Sequence, residues 1–271
     1  MQNKFTLTGT GVGVIIISYL LVQLVLSLIM VLDMFIFKTD IQYGMGFMML
    51  SFILSMGVPI VTFDYFVVRK QTGRPLSFSF KKLPVLDYIL PFFMMLGMTL
   101  ISESIAALVP TSEGWLAEWY SYVNGIFKQM QAESVGMFIM IVGLAPLLEE
   151  ILFRGIIQRG LINKGLAPKQ AIFLSALIFG LVHGNPWQFI GAAMLGLVLG
   201  LAYYKTKSIL LPILLHAFNN LLSFLMMFYS DKETLAEWLG LNLWFGFFVG
   251  ILIFGGFYYL FMHRKIHHIE K

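Results

Sequence analysis

At 271 residues, with 59% hydrophobic and 12% charged residues and a mean hydropathy of +0.84, the chain departs far from a soluble domain, where about 25% of residues are charged. The composition is that of an integral membrane protein, and the lack of any cysteine excludes a disulfide, a thiolate nucleophile and a thiolate metal ligand. A net charge of +4 is no nucleic-acid signature, because its distribution along the chain follows membrane topology.

In chain order, eight apolar stretches read as candidate spans: Gly11–Phe37, Gly44–Val68, Leu86–Val109, Val135–Arg159, Gln170–Gly184, Trp187–Tyr204, Ile209–Tyr229 and Leu243–Met262. The first is followed by no small-residue cleavage pattern, so it reads as a span and not a removable signal peptide. The fifth is short for a span, and Gly184-Asn185-Pro186 is expected to end it. Placing the amino terminus in the cytoplasm puts Lys4, Arg69, Lys70, Arg74, Lys81, Lys82, Arg159, Lys164, Lys169, Lys205, Lys207, Arg264, Lys265 and Lys271 on that side. Those are 14 of the 18 basic residues, so both termini are expected to be cytoplasmic. The basic arm Arg69–Lys82 reads as a loop beside anionic lipid.

Between the third and fourth spans, Pro110–Glu133 carries Leu116, Trp119, Tyr120, Val123, Ile126, Phe127 and Met130 at helical spacing. This pattern predicts an amphipathic helix lying in the outer interface. The organisation expected is N-terminal spans with the basic loop and interfacial helix over 1–134, the chemistry-bearing helices over 135–229, and a last span with a basic tail over 230–271. His263, His267 and His268 belong to that tail.

The fourth span holds the least ordinary stretch, Gly143-Leu-Ala-Pro-Leu-Leu-Glu149-Glu150-Ile-Leu-Phe-Arg154-Gly155. A charge at mid-membrane costs roughly 2.5–3.5 kcal/mol on insertion scales, so these groups must be paired, face a wet cavity, or be used. Glu150 and Arg154 are four apart and share a helix face, which suits a structural ion pair. Glu149 points about 100° away around the axis and is the carboxylate left for chemistry. Pro146 is expected to kink or loosen the turn that enters this site.

Two further polar groups fall in apolar helices. His183 follows Phe179 by one turn, and His216 precedes Asn220 by one turn. Counted from the basic end of each helix at about 1.5 Å per residue, Glu149, His183 and His216 lie roughly 15, 20 and 12 Å deep, with Asn220 a turn beyond His216. All fall near the middle of a hydrocarbon core about 30 Å thick. Pro212, four residues before His216, is expected to interrupt that helix as Pro146 does the other. Ala192, Gly196 and Gly200 form a small-residue stripe for helix packing, and Asp33, Asp64 and Glu103 read as snorkelling or paired groups.

A buried carboxylate can take a proton from water, an imidazole can orient that water and later protonate a leaving amine, and an imidazole with an amide can stabilise an oxyanion. The set Glu149, His183, His216 and Asn220 therefore suits hydrolysis of a peptide bond. The same Glu149, His183 and His216 also suit zinc with an open water position, although no His-Glu-x-x-His spacing is present.

The motifs Glu149-Glu150-x-x-x-Arg154, Phe179-x-x-x-His183 and His216-x-x-x-Asn220, in this order on hydrophobic helices, resemble those of the CPBP family. These are the CAAX-protease and bacteriocin-processing proteins, also called the Abi or type II CAAX endopeptidase family. The resemblance covers Ile139 to Ser223. With the eight candidate spans, the expected fold is an all-α bundle of about eight transmembrane helices with a buried polar catalytic cavity, and the expected location is a bacterial cell membrane. The resemblance implies an intramembrane protease in which Glu149 and His183 activate water, His216 and Asn220 stabilise the oxyanion, and Glu150 pairs with Arg154. Substrates implied are prenylated tails, peptides or membrane-anchored proteins, with no nucleic acid. The preferred reading needs no cofactor, while zinc or another divalent metal stands as the other reading. Two other function classes fit a polar cavity in a membrane: a transporter or channel with a proton or ion path, and a non-catalytic scaffold or immunity protein.

Overall fold

A computed structural model describes residues 4–41, 44–230, 232 and 234–266. His267, His268 and Lys271 lie outside the described residues. Among the described residues ten helices follow one another: α1 Gly9–Phe37, α2 Met45–Thr72, α3 Leu86–Ala106, α4 Gly114–Gln131, α5 Ser134–Asn163, α6 Pro168–Leu181, α7 Pro186–Thr206, α8 Leu210–Tyr229, α9 Leu235–Trp238 and α10 Leu243–His263. Among the described residues none is in a strand. Seven helices, α1, α2, α3, α5, α7, α8 and α10, are long and apolar enough to cross a membrane. The chain is an all-α, multi-pass integral membrane protein.

Two differences from the sequence reading have plain causes. Helix α6 has 14 residues, about 21 Å, which falls short of a core near 30 Å. It stops at Leu181, not at Gly184, because Gly184 takes a left-handed φ of 71° and Pro186 opens the next helix. The expected fifth span is thus a shorter apolar helix. In α8, Pro212 interrupts nothing: the helix starts at Leu210, so Pro212 sits in the first turn, where its missing N–H has no intrahelical partner to lose.

The chain divides into two compact units. The first comprises residues 1–77 and 124–166; the second comprises 78–123 and 167–271, so the division falls inside α4 and between α5 and α6.

In the first unit, α1 packs on α2, and Gln23 donates to Ser55 Oγ across them at 2.8 Å. The extended segment before α1 is tied down on two sides. Thr6 N donates to Gln71 Oε1 at 2.8 Å and Gln71 returns a bond to Thr6 O, while Leu7 N donates to Gly160 O and Asn163 to Phe5 O. Phe5 stands edge-on to Phe63, with the Arg159 guanidinium over its other contact surface. Helix ends in this unit are set by carboxylates. Asp33 accepts from Thr39 and from Ile41 N, folding the chain back after α1. Asp64 accepts from Arg69 and from Leu76 N, and Gly73 closes α2 in the left-handed region at φ 71°.

In the second unit, α3 packs against α7 and α10 over a core of Leu90, Met94, Met98, Leu199, Leu211, Leu215 and Phe261. The α3–α10 approach is backbone to backbone. A Cβ at Gly97 would meet Phe254 N at 2.6 Å and Gly250 O at 2.8 Å, and one at Gly250 would meet Gly97 O at 2.7 Å. Ser104 Oγ adds a bond to Leu243 O across the same pair. Helix α7 packs on α6 and α3 with Gly196 and Gly200 buried. Glu103, on α3, accepts Leu235 N with both carboxylate oxygens and so starts α9. Asp33, Asp64 and Glu103 are each accounted for by such structural bonds.

Because glycine alone permits the α3–α10 contact, Gly97→Ala is expected to lower stability by about 1–3 kcal/mol. Gly255→Ala, where a Cβ meets nothing within 4 Å, should be neutral or slightly stabilising. Thermal unfolding of the two detergent-purified variants reads the contrast.

Candidate active site

The carboxylates lie on α5, in the first unit. Only Ala145–Glu150 of that region keeps ordinary α geometry, set between two wider stretches, Ile139–Leu144 and Ile151–Gln158. Ala145 N–H bonds to Met140 O, five residues back. Pro146 explains the first wide turn: its ring would clash with the carbonyl four residues earlier in a tight helix, and it has no N–H to offer. The second stretch is packed on all sides, since Leu152 through Gln158 are all buried.

Within this frame Arg154 Nη1 lies 3.0 Å from Glu150 Oε1, and both side chains are 0% exposed. A charge pair this far from water is held by its mutual attraction, and removing one member strands the other. Glu149, its neighbour, is 9% exposed and is one of the two carboxylates whose charge acts on Arg154.

The imidazoles lie in the second unit, gathered on one aromatic ring. Phe179, 2% exposed near the end of α6, has the His183 ring edge-on at 5.1 Å and the His216 ring edge-on at 5.5 Å between centroids. Phe179 therefore orders the two imidazoles, one from the turn after α6 and one from α8. His183 is not inside a helix as the sequence reading has it; it lies two residues beyond Leu181, in a turn closed by His183 N to Gly180 O and Gly184 N to Leu181 O. Its Nδ1 is 2.8 Å from Phe179 O. A carbonyl only accepts, so Nδ1 carries the hydrogen, and the lone pair of the neutral ring is on Nε2.

The turn is fixed by a residue that the sequence reading used only as a helix breaker. Asn185 Oδ1 caps α7 by accepting Gln188 N at 2.9 Å, and its Nδ2 donates to His183 O at 3.1 Å and to Gln188 Oε1 at 2.5 Å. The Asn-Pro pair at Ncap and N1 was the available signal. On α8, His216 is buried, and Asn220 lies half-buried one turn on. The adjacent Asn219 has a packing duty, accepting Thr99 Oγ1 of α3 at 3.1 Å. Trp187, next to the capped turn, is met by Tyr120 and Trp119 of α4.

So the structure brings Glu149, Glu150 and Arg154 together within one unit, and His183, His216 and Phe179 within the other. The zinc set weighed above, Glu149, His183 and His216, is divided between the units. Within neither unit do three His, Asp or Glu among the described residues form a metal-holding group.

All seven motif residues fall in one matched stretch. Residues 131–222 match the type II CAAX prenyl endopeptidase Rce1-like family. This agrees with the family resemblance carried by the motifs and extends it a few residues toward the amino terminus. The chain is also 28% identical over 144 residues to UPF0177 protein YaiF of Lactococcus lactis subsp. lactis (strain IL1403), covering 50% of this chain and 62% of that protein. The chain thus matches less than two thirds of the length of this curated relative. No solved structure matches it.

The pair on α5 makes a direct expectation. Arg154→Met should destabilise the protein by about 3–5 kcal/mol, because it leaves a buried carboxylate uncompensated. Adding Glu150→Leu should recover part of that loss, as a double-mutant cycle on thermal or denaturant unfolding would register.

Proposed function

We propose that the protein is an intramembrane endopeptidase of the CAAX-protease-like type. The observation that carries this is the Rce1-like match over residues 131–222, which includes Glu149, Glu150, Arg154, His183, His216 and Asn220. The proposed substrate is a peptide bond in a prenylated tail, a peptide precursor or a membrane-anchored protein segment. The distribution of basic residues supports an orientation with both termini in the cytoplasm.

In the proposed reaction Glu149 takes a proton from water, and the resulting hydroxide attacks the scissile carbonyl carbon. His183 Nε2 orients that water, its ring held by the Nδ1–H bond to Phe179 O. His216 and Asn220, one turn apart on α8, donate to the oxyanion of the tetrahedral intermediate. The proton held by Glu149 passes to the amine nitrogen as the C–N bond breaks, which restores the carboxylate. Arg154 and Glu150 take no part in bond making; their pairing fixes the turn that presents Glu149. One carboxylate and two imidazoles also suit zinc with an open water position, which would supply a more acidic bound water, and no step above depends on it.

Purified protein should cleave a membrane-anchored peptide from a panel that includes prenylated and unprenylated tails. Glu149→Gln and His216→Ala should each lower turnover by at least about 100-fold while the unfolding temperature stays near that of the parent. Cleavage by either variant at the parental rate removes the assignment, and a chelator arm reads metal dependence in the same assay.

A further inference from the structure

One end of the second unit carries a basic rim whose parts are distant in sequence. Three segments meet there. The extended stretch before α3 is pinned to the α7–α8 turn by Ile209 N to Ser79 O at 2.9 Å and Ser208 Oγ to Lys81 O at 2.8 Å. The end of α10 is pinned to the end of α7 by Lys205 Nζ to Met262 O at 2.7 Å, with the same ammonium over the Phe261 ring. Arg264 donates to Asp87 Oδ1 at the start of α3. Among the described residues the cations on these segments are Lys81, Lys82, Lys205, Lys207, Arg264 and Lys265, against one carboxylate, Asp87, which is fully buried and engaged by Arg264.

These cations do not share one job. Lys205 and Arg264 are half-buried and hold the rim together through the bonds just named. Lys81, Lys82 and Lys265 are exposed, on backbone outside any helix. Lys207 is exposed at the α7 C-cap in the left-handed region at φ 57°, with its ammonium 3.9 Å from the centre of the Tyr204 ring. Immediately beside them the surface turns apolar: Phe80, Val85, Leu86, Leu260 and Tyr259 are all exposed. A belt of apolar and tyrosine side chains edged by lysines is the surface expected at the depth of lipid phosphates.

We propose that this rim is a binding site for anionic phospholipid, with the lipid phosphate held by Lys81, Lys82 and Lys265 and the acyl chains lying on the adjacent apolar belt. The charge complementarity argues for an anionic headgroup. The bonded scaffold argues for a preformed site, because the Ser208, Ile209, Lys205 and Arg264 bonds fix the three segments before any lipid arrives. The apolar belt favours a phosphate on a lipid over a free one.

The test uses the full chain in a mild non-ionic detergent with phosphatidylglycerol, phosphatidylcholine of the same acyl chains, or inorganic phosphate added. Binding is read by native mass spectrometry and by the shift in unfolding temperature. Phosphatidylglycerol should bind and stabilise more than phosphatidylcholine, inorganic phosphate should do neither, and the preference should shrink between low and high salt. Lys81→Gln/Lys82→Gln/Lys265→Gln should weaken phosphatidylglycerol binding on the order of a hundredfold, from about fivefold per lysine. Equal binding of the two lipids by the parent overturns the proposal without any variant. So does a triple variant that keeps the preference, or an effect of inorganic phosphate equal to that of phosphatidylglycerol.

Discussion

A charge that leaves water must find a partner, and that constraint organises most of this structure. Glu150 and Arg154 meet it in the extreme form, a pair with no exposed side-chain surface inside a largely apolar helix. The same demand places Asp33 on Thr39 and Ile41, Asp64 on Arg69 and Leu76, Asp87 on Arg264 and Glu103 on Leu235. Apart from the Asp64–Arg69 bond, which lies within α2, each of those bonds ends, starts or joins a helix. Acidic residues in this chain therefore do architectural work at helix ends, where unpaired backbone N–H groups and neighbouring cations are within reach.

Helix geometry bends to the same end in α5. Pro146 denies the chain a normal turn, and the helix answers with a wide stretch before the two glutamates and a second one after them. Wide turns of this kind are frequent at functional sites, since they re-aim side chains without breaking the helix. The histidine side uses a different device. There the ordering element is an aromatic ring, Phe179, with a capped Asn-Pro turn behind His183. Carboxylates and imidazoles are thus each held by contacts inside their own unit.

The Rce1-like match runs from residue 131 to 222 and so crosses from one unit into the other. What the matched stretch has in common across both is a set of polar side chains on or beside apolar helices, with Glu150, Arg154, His183 and His216 held by local contacts. Preorganisation of that kind is what hydrolysis in a lipid environment requires, because water and charge there are not stabilised by bulk solvent. The basic rim of the second unit obeys the complementary logic, with charge placed where the apolar belt stops.

Composition and hydropathy determined that this is a multi-pass α-helical membrane protein, and helical spacing determined that Glu150 and Arg154 share a face. Three motifs in order carried the family resemblance, because polar residues in apolar helices are rare enough to be read one by one. The sequence could not place the end of α6: the apolar run continues past Leu181, and only the left-handed Gly184 with the cap at Asn185 puts His183 in a turn. Nor could it show that Pro212 lies in a first turn, where proline breaks nothing. The Gly97–Gly250 contact, the Phe179 ring between two imidazoles and the bond from Ser208 to Lys81 O were decided only by the tertiary structure. Those relations join residues tens to hundreds of positions apart, and periodicity along a chain carries no information about which helix faces which.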